Sequence, residues 1–178
     1  MVTNLLKKYN EHLELLHLND KQRVSSLRDI FDRDIANNNN FKFRSKIIRP
    51  LKKEGIIDVE SLFDHLIKKS VDIKDDKGRS IGKSRSEFDI NRSVRLHWIW
   101  HHIQEKESSL KIFSVKDRKD GRDVLRTYIL NKDEKYLIVL EPQRSLQDYY
   151  LLSAHYLDEK NGLKKIMNKW RRKLDEVY

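Results

Sequence analysis

Apolar positions recur at steps of three and four through much of the first third of the chain. Leu5, Leu6, Tyr9, Leu13, Leu16 and Leu18 fall close to helical spacing, with Lys7, Lys8, Glu11 and Glu14 between them. A helix is therefore predicted over residues 3–18. Asn19 and Asp20 break it and offer an N-cap. A second helix is predicted over about 21–36 on the stripe Val24, Leu27, Ile30, Phe31 and Ile35. Asn37 to Asn40 mark a loop. In Phe41-Lys42-Phe43-Arg44 aromatic and basic residues alternate, which suits a short strand or a phosphate-contacting loop. Gly55 interrupts, and Asp58 caps a helix over about 59–69 holding Leu62, Phe63, Leu66 and Ile67. Residues 72–89 are charged, with Gly78 and Gly82 among them, and read as a linker between a helical region at 1–71 and a domain at 90–178.

The second part changes period. Leu96, Ile99, Trp100 and Ile103 make the apolar stripe of a helix over about 91–106. Four strands follow, at 111–116, 124–130, 136–141 and 148–156, with a charged hairpin turn around Gly121. Residues 136–141 are nearly all apolar and predict a central strand covered on both faces. In the last strand, alternation puts Tyr149, Leu151, Ser153 and His155 on one face and Tyr150, Leu152, Ala154 and Tyr156 on the other. Asn161 caps a closing helix with Leu163, Ile166, Met167, Trp170, Leu174 and Val177 as its stripe and lysines and arginines elsewhere. Short connections pair neighbouring strands in order. The expected fold is α+β: a helical N-terminal region, then a helix, a four-stranded antiparallel meander and a C-terminal helix.

Composition narrows the function. The 178 residues carry a net charge of +10, split +4 over residues 1–89 and +6 over 90–178, so no single tail explains the excess. Such a surface suits a polyanion, usually nucleic acid. There is no cysteine, which excludes disulfides, thiolate nucleophiles and cysteine-bearing zinc sites. No stretch approaches about 18 apolar residues, and residues 1–9 lack the apolar centre of a secretory signal, so a cytoplasmic protein without a membrane partner is expected.

Candidate chemistry concentrates on histidines and arginines. His97 and His101 are four apart on one helix face, a spacing that can chelate a metal with His102 or His155. No acidic residue precedes Glu105 there and no His-Glu-x-x-His occurs, so no metal and no cofactor are expected. Ser153 and His155 on the last strand, with Arg126 on the second strand, could surround a phosphodiester: Arg126 as clamp, Ser153 as hydrogen-bond partner, His155 as proton carrier. These residue types favour metal-free RNA cleavage, in which the 2′-hydroxyl is the nucleophile and the products are a cyclic phosphate and a 5′-hydroxyl. Lys116, Arg118 and Tyr156 are the expected substrate contacts. The alternative is a nucleic-acid-binding protein that uses the same basic surface without chemistry.

Arg95-Leu96-His97-Trp98-Ile99 on a helix, four strands, then Leu151-Leu152-Ser153-Ala154-His155-Tyr156 and a basic helix resemble the phage-associated branch of the barnase, EndoU, colicin and RelE-like nucleases, the BECR superfamily. The resemblance covers about residues 90–175 and does not reach 1–89. It implies a small α+β ribonuclease of phage or toxin type, acting on RNA such as tRNA or mRNA without metal, with an immunity or antitoxin protein as a partner. It places the family's helix arginine on Arg95 and its strand arginine on Arg126, and the expected catalytic set is His155, Ser153, Arg126, Arg95 and His97. His155 stands where the family has an aromatic residue, a departure that either puts the acid–base group there or marks a divergent site.

Overall fold

A computed structural model describes residues 2–53, 56–119 and 121–178. The fold is mixed α+β. Helix α1 (Val2–Leu6) ends long before the expected residue 18. Residues 7–18 instead cross the molecule as an irregular strap. Leu13 and Leu15 are both buried while Leu16 is exposed, a two-residue spacing that a helix cannot produce. Tertiary partners outweigh local helix propensity here. The Asn4 side chain brackets Glu14, donating to its carbonyl at 3.1 Å and accepting from its N–H at 2.8 Å. Trp98 Nε1 donates to the Glu11 carbonyl at 3.1 Å.

Helix α2 (Asp20–Phe31) starts with a capping box between Asn19 and Gln22 and continues into a π-helical turn at Asp32–Ala36. Strands β1 (Lys42–Phe43) and β2 (Lys46–Arg49) pair antiparallel, as do β3 (Lys52–Lys53) and β4 (Ile56–Ile57). The break expected at Gly55 lies outside the described residues. Asp58 caps α3 (Val59–Ile67) by accepting from Ser61 N–H at 2.8 Å.

The stretch expected as a linker is ordered. Strands β5 (Lys68–Lys74) and β6 (Ser80–Phe88) form a two-stranded antiparallel hairpin. Asp75 closes its turn, one carboxylate oxygen accepting from the N–H groups of Lys77 and Arg79, and Gly78 supplies the positive φ of 76°. The hairpin has no apolar alternation because most of it touches no core, which is why composition reads as linker.

The helix expected over 91–106 is divided into α4 (Ile90–Ser93) and α5 (Trp98–Ile103). Between them the backbone tightens, with Leu96 N–H bonded to the Ser93 carbonyl and Trp98 N–H to that of Arg95. Leu96, His97, Trp98 and Ile99 are consecutively buried, more of the circumference than one helical stripe can cover.

Strands β7 (Lys111–Lys119), β8 (Arg122–Asn131), β9 (Tyr136–Pro142) and β10 (Tyr149–Tyr156) pair antiparallel in chain order, and α6 (Gly162–Arg171) follows. The sheet is larger than four strands. Its order is β1-β2-β10-β9-β8-β7, with β2 parallel to β10 through Ile48 with Tyr149 and Arg49 with Tyr150. One face packs Ile129, Ile138, Leu140, Leu151 and Ala154 with Leu27, Phe31, Phe63 and Leu66 from the first part of the chain, so residues on both sides of 72–89 share one core. The other face packs Phe113, Val115, Tyr128, Leu137 and Val139 under Ile166 and Trp170 of α6.

A bulge in β10 corrects the expected alternation. Leu151 stands opposite Leu140 and Ser153 opposite Val139, which leaves Leu152 as an extra residue. Tyr149, Leu151 and Ala154 therefore face the first core, while Ser153 and His155 face the α6 side. The four residues expected on one face are split two and two.

Because Ile138 is fully buried on the central strand, Ile138→Ala is expected to destabilise the protein by about 2–5 kcal/mol. Urea unfolding at constant m-value checks this.

Candidate active site at the end of strand β10

After the bulge, Ser153 Oγ and His155 Nδ1 are 2.9 Å apart. His155 Nε2 has no hydrogen-bond partner among the described residues, and the ring lines a cleft of about 390 Å³. Asp89, the N-cap of α4, Arg92 of that helix, Lys69 and Ser70 at the root of the hairpin, and Lys165 of α6 are among its walls. Burial, and then the Arg92 cation, push His155 down to about 4 from its usual 6.5. The imidazole is thus neutral at pH 7, with one nitrogen engaged by Ser153 and the other open to the cleft.

Arg92 is held from behind. Its Nη1 donates to the carbonyls of Lys68 at 3.3 Å and of His65, and Nε lies 3.6 Å from Asp89 without a hydrogen bond. Burial lowers its pKa below the usual arginine value. Lys69 pairs with Glu87 at 2.8 Å and Lys165 with Glu159 at 3.0 Å, both in exposed geometry. At Gly162, the first residue of α6, a Cβ would make ordinary contacts of 3.5 Å with Leu157 Cβ and 3.6 Å with Glu159 Cβ.

Of the remaining sequence-predicted residues, Tyr156 lines the cleft and the others lie elsewhere. Arg126 shares the α6 side of the sheet but stands 3.8 Å from both Asp117 and Glu141. Asp117 also accepts from Tyr128 Oη and Lys169 Nζ, so Arg126 belongs to an ion network under α6. His155 is level with Leu137 and Leu130, four residues along β8 from Arg126. That is about 13 Å along the strands and about 10 Å across them. Lys116 and Arg118 are exposed near the β7–β8 turn, farther still, and Arg118 pairs with Asp123 at 3.0 Å. Arg95 stacks on Tyr156, 4.4 Å from the ring centre, and on Trp98 at 5.2 Å. Tyr156 borders the cleft from the opposite sheet face, so this stack adjoins the site without entering it.

The helix histidines serve packing. His97 lies beneath the strap with Nε2 3.3 Å from the Lys8 carbonyl, and burial pushes it down to about 4. His102 bonds to the Trp98 carbonyl at 2.7 Å and receives Asn131 Nδ2 at 3.1 Å; burial again sets a value of about 4. His101 meets Glu107 at 2.7 Å and stacks on Tyr9. Among the described residues no three His, Asp or Glu side chains converge as metal ligands, and no helix is long and apolar enough to cross a membrane.

Sequence reasoning missed Arg92, Asp89, Lys69 and Lys165. Arg92 was visible beside the helix stripe, but no local signal folds the 68–88 hairpin against the end of β10. Comparison with protein families, curated proteins and solved structures finds no match to this chain.

His97, His102 and His155 bind a proton near 6.5 when unfolded and near 4 when folded. Between those values the unfolded state holds more protons, so stability is fully present above about pH 6.5 and falls as pH drops toward 4. Imidazole NMR titration should show three rings still neutral at pH 5.5. Titration of His97, His102 and His155 near 6.5 would contradict the burial argument.

Proposed function

We propose that this protein is a metal-independent ribonuclease and that the chemistry is done at the end of β10. The observation that carries the reading is the Ser153–His155 pair at 2.9 Å on the wall of a cleft that also holds Arg92. Ser153 accepts from Nδ1–H, which fixes the tautomer with the Nε2 lone pair toward the cleft. His155 Nε2 takes the proton of the ribose 2′-hydroxyl, whose oxygen attacks phosphorus. The P–O5′ bond breaks, the leaving oxygen is protonated by water at the cleft mouth, and a 2′,3′-cyclic phosphate remains. Arg92 faces the charge that builds on the phosphorane. A bound phosphate offsets the Arg92 cation and raises the ring's proton affinity toward the range useful for a base.

The resemblance of residues 90–175 to the phage-associated BECR nucleases supports this reading, with RNA as substrate and an immunity or antitoxin protein as partner in a toxin-type setting. Arg92 takes the phosphate role first expected of Arg126. A second reading, nucleic-acid binding without cleavage, puts the contacts on the basic surface outside the cleft, since the carboxylates Asp89, Asp158 and Glu159 weaken the cleft's own pull on a phosphate.

Purified protein incubated with total RNA in excess EDTA should yield fragments ending in cyclic phosphate. His155→Ala should lower the rate by about 100-fold or more. Ser153→Ala should lower it less and shift the acidic limb of the pH–rate profile. Intact RNA from folded parent protein, or a His155→Ala variant as fast as the parent, would reject the assignment.

A further inference from the structure

The β5–β6 hairpin stands away from the rest of the molecule. From Asp72 to Lys83 every side chain except Asp75 is exposed, including Ile73 and Ile81. Its root is fixed: Phe88 packs on the main core, Asp89 N–H bonds to the Ile67 carbonyl, and Arg85 donates to the Lys68 carbonyl at 3.0 Å. The seven residues of β5 reach about 23 Å.

Charge on this arm is asymmetric. Residues 68–88 hold seven lysines and arginines against four acids, a net +3. Lys68, Lys69 and Arg79 are engaged with Asp64, Glu87 and Asp75. Lys74, Lys77 and Lys83 have no ion pair among the described residues. Lys83 stands opposite Asp72, and Lys74 opposite Ser80, on the same ribbon face as Ser70. Ser70 lines the cleft of His155. One face of the arm thus runs from free ammonium groups at its tip to the mouth of the cleft. On the opposite wall Lys165 of α6 is paired with Glu159, and exposed Lys164 stands beside it.

We infer that the arm is a binding element for the sugar–phosphate backbone of single-stranded RNA, guiding the strand that leaves the cleft. This rests on the cleft being an RNA site. Lysines without carboxylate partners release counterions when they meet phosphates, and an exposed ribbon can follow several phosphates without burying apolar area. Binding of this kind is independent of sequence and falls steeply with salt.

The test uses the full chain and a single-stranded RNA oligonucleotide carrying 2′-O-methyl groups, which transesterification cannot cleave. Fluorescence anisotropy across a salt series gives affinity and slope. The variant Lys74→Ala, Lys77→Ala, Lys83→Ala should bind about tenfold more weakly or worse near physiological salt. Its log–log salt slope should be shallower by about 2, from about 0.7 per phosphate contact. Circular dichroism and thermal unfolding should match the parent, since all three side chains are exposed. Unchanged affinity and slope would overturn the inference, and so would a parent that does not bind the oligonucleotide. A concentration-dependent dimer dissolved by Ile73→Lys with Ile81→Lys, at unmoved RNA affinity in the lysine variant, would assign the arm to a second copy and also overturn it. If the parent leaves natural RNA intact while the lysine variant still loses affinity, the cleavage reading falls and the arm stands.

Discussion

The bulge at Leu152 decides what β10 can present. With unbroken alternation, Ser153 and His155 would follow Leu151 into the core face and sit against Ile138, an apolar site offering no solvent and few partners. Burying a hydroxyl and an imidazole there without partners costs about 1–3 kcal/mol each. The extra residue turns Ala154 inward, where it is 1% exposed, and moves the polar pair to the side where α6 is only beginning. The same strand is then apolar where the helices of the first part pack on it and polar where they leave it. Gly162, Lys165 and Ile166 of α6 give the cleft its wall on that side.

Two arrangements of charge keep the α6 side of the sheet in order, and they differ in purpose. Under the middle of α6, Asp117, Tyr128, Lys169, Arg126 and Glu141 neutralise one another. Tyr128 is held protonated well above its usual value by burial and by Asp117, while its neighbours hold Asp117 ionised. Such a network contributes little net stability against an apolar replacement but fixes where the helix sits. At the cleft Arg92 Nε lies 3.6 Å from Asp89 without a hydrogen bond, and His155 is kept neutral beside it. Arg126 Nε likewise makes no hydrogen bond, so the two places differ in the neutral imidazole and the open cleft.

What the chain disclosed in advance follows from how local each signal is. The strands from Lys111 to Tyr156 were legible because their apolar alternation and turn residues lie within a few positions. Helices α2 and α3 were legible through the stripe and caps at Asn19 and Asp58. The strap at 7–18 was not, since leucines at Leu13, Leu15, Leu16 and Leu18 fit a helix or an extended segment, and only the bonds to Trp98 and Val94 choose between them. The Leu152 bulge leaves no mark in a run of Tyr-Tyr-Leu-Leu-Ser-Ala. The pairing of β2 with β10 joins residues about a hundred positions apart, beyond any periodicity. Of the expected site, Ser153, His155 and neighbouring Tyr156 were legible from one strand, whereas the arginine beside them depended on tertiary folding.

Arg92 has a second role that limits how it can be read as a phosphate ligand alone. A two-stranded ribbon is marginal in water by itself, so the hairpin depends on its root. At that root Arg92 and Arg85 both donate to the Lys68 carbonyl, and both are desolvated enough to sit below the usual arginine pKa. Two buried cations converging on one carbonyl repel each other, and Asp89 is the nearest carboxylate to Arg92, at 3.6 Å. Asp158 and Glu159 also line the cleft, so its cations are offset there by carboxylates as well as by Asp89. An anion bound there would relieve the repulsion at the hairpin root as well as contact His155. Cleft and arm are joined through one guanidinium, which lines the first and bonds to the root of the second.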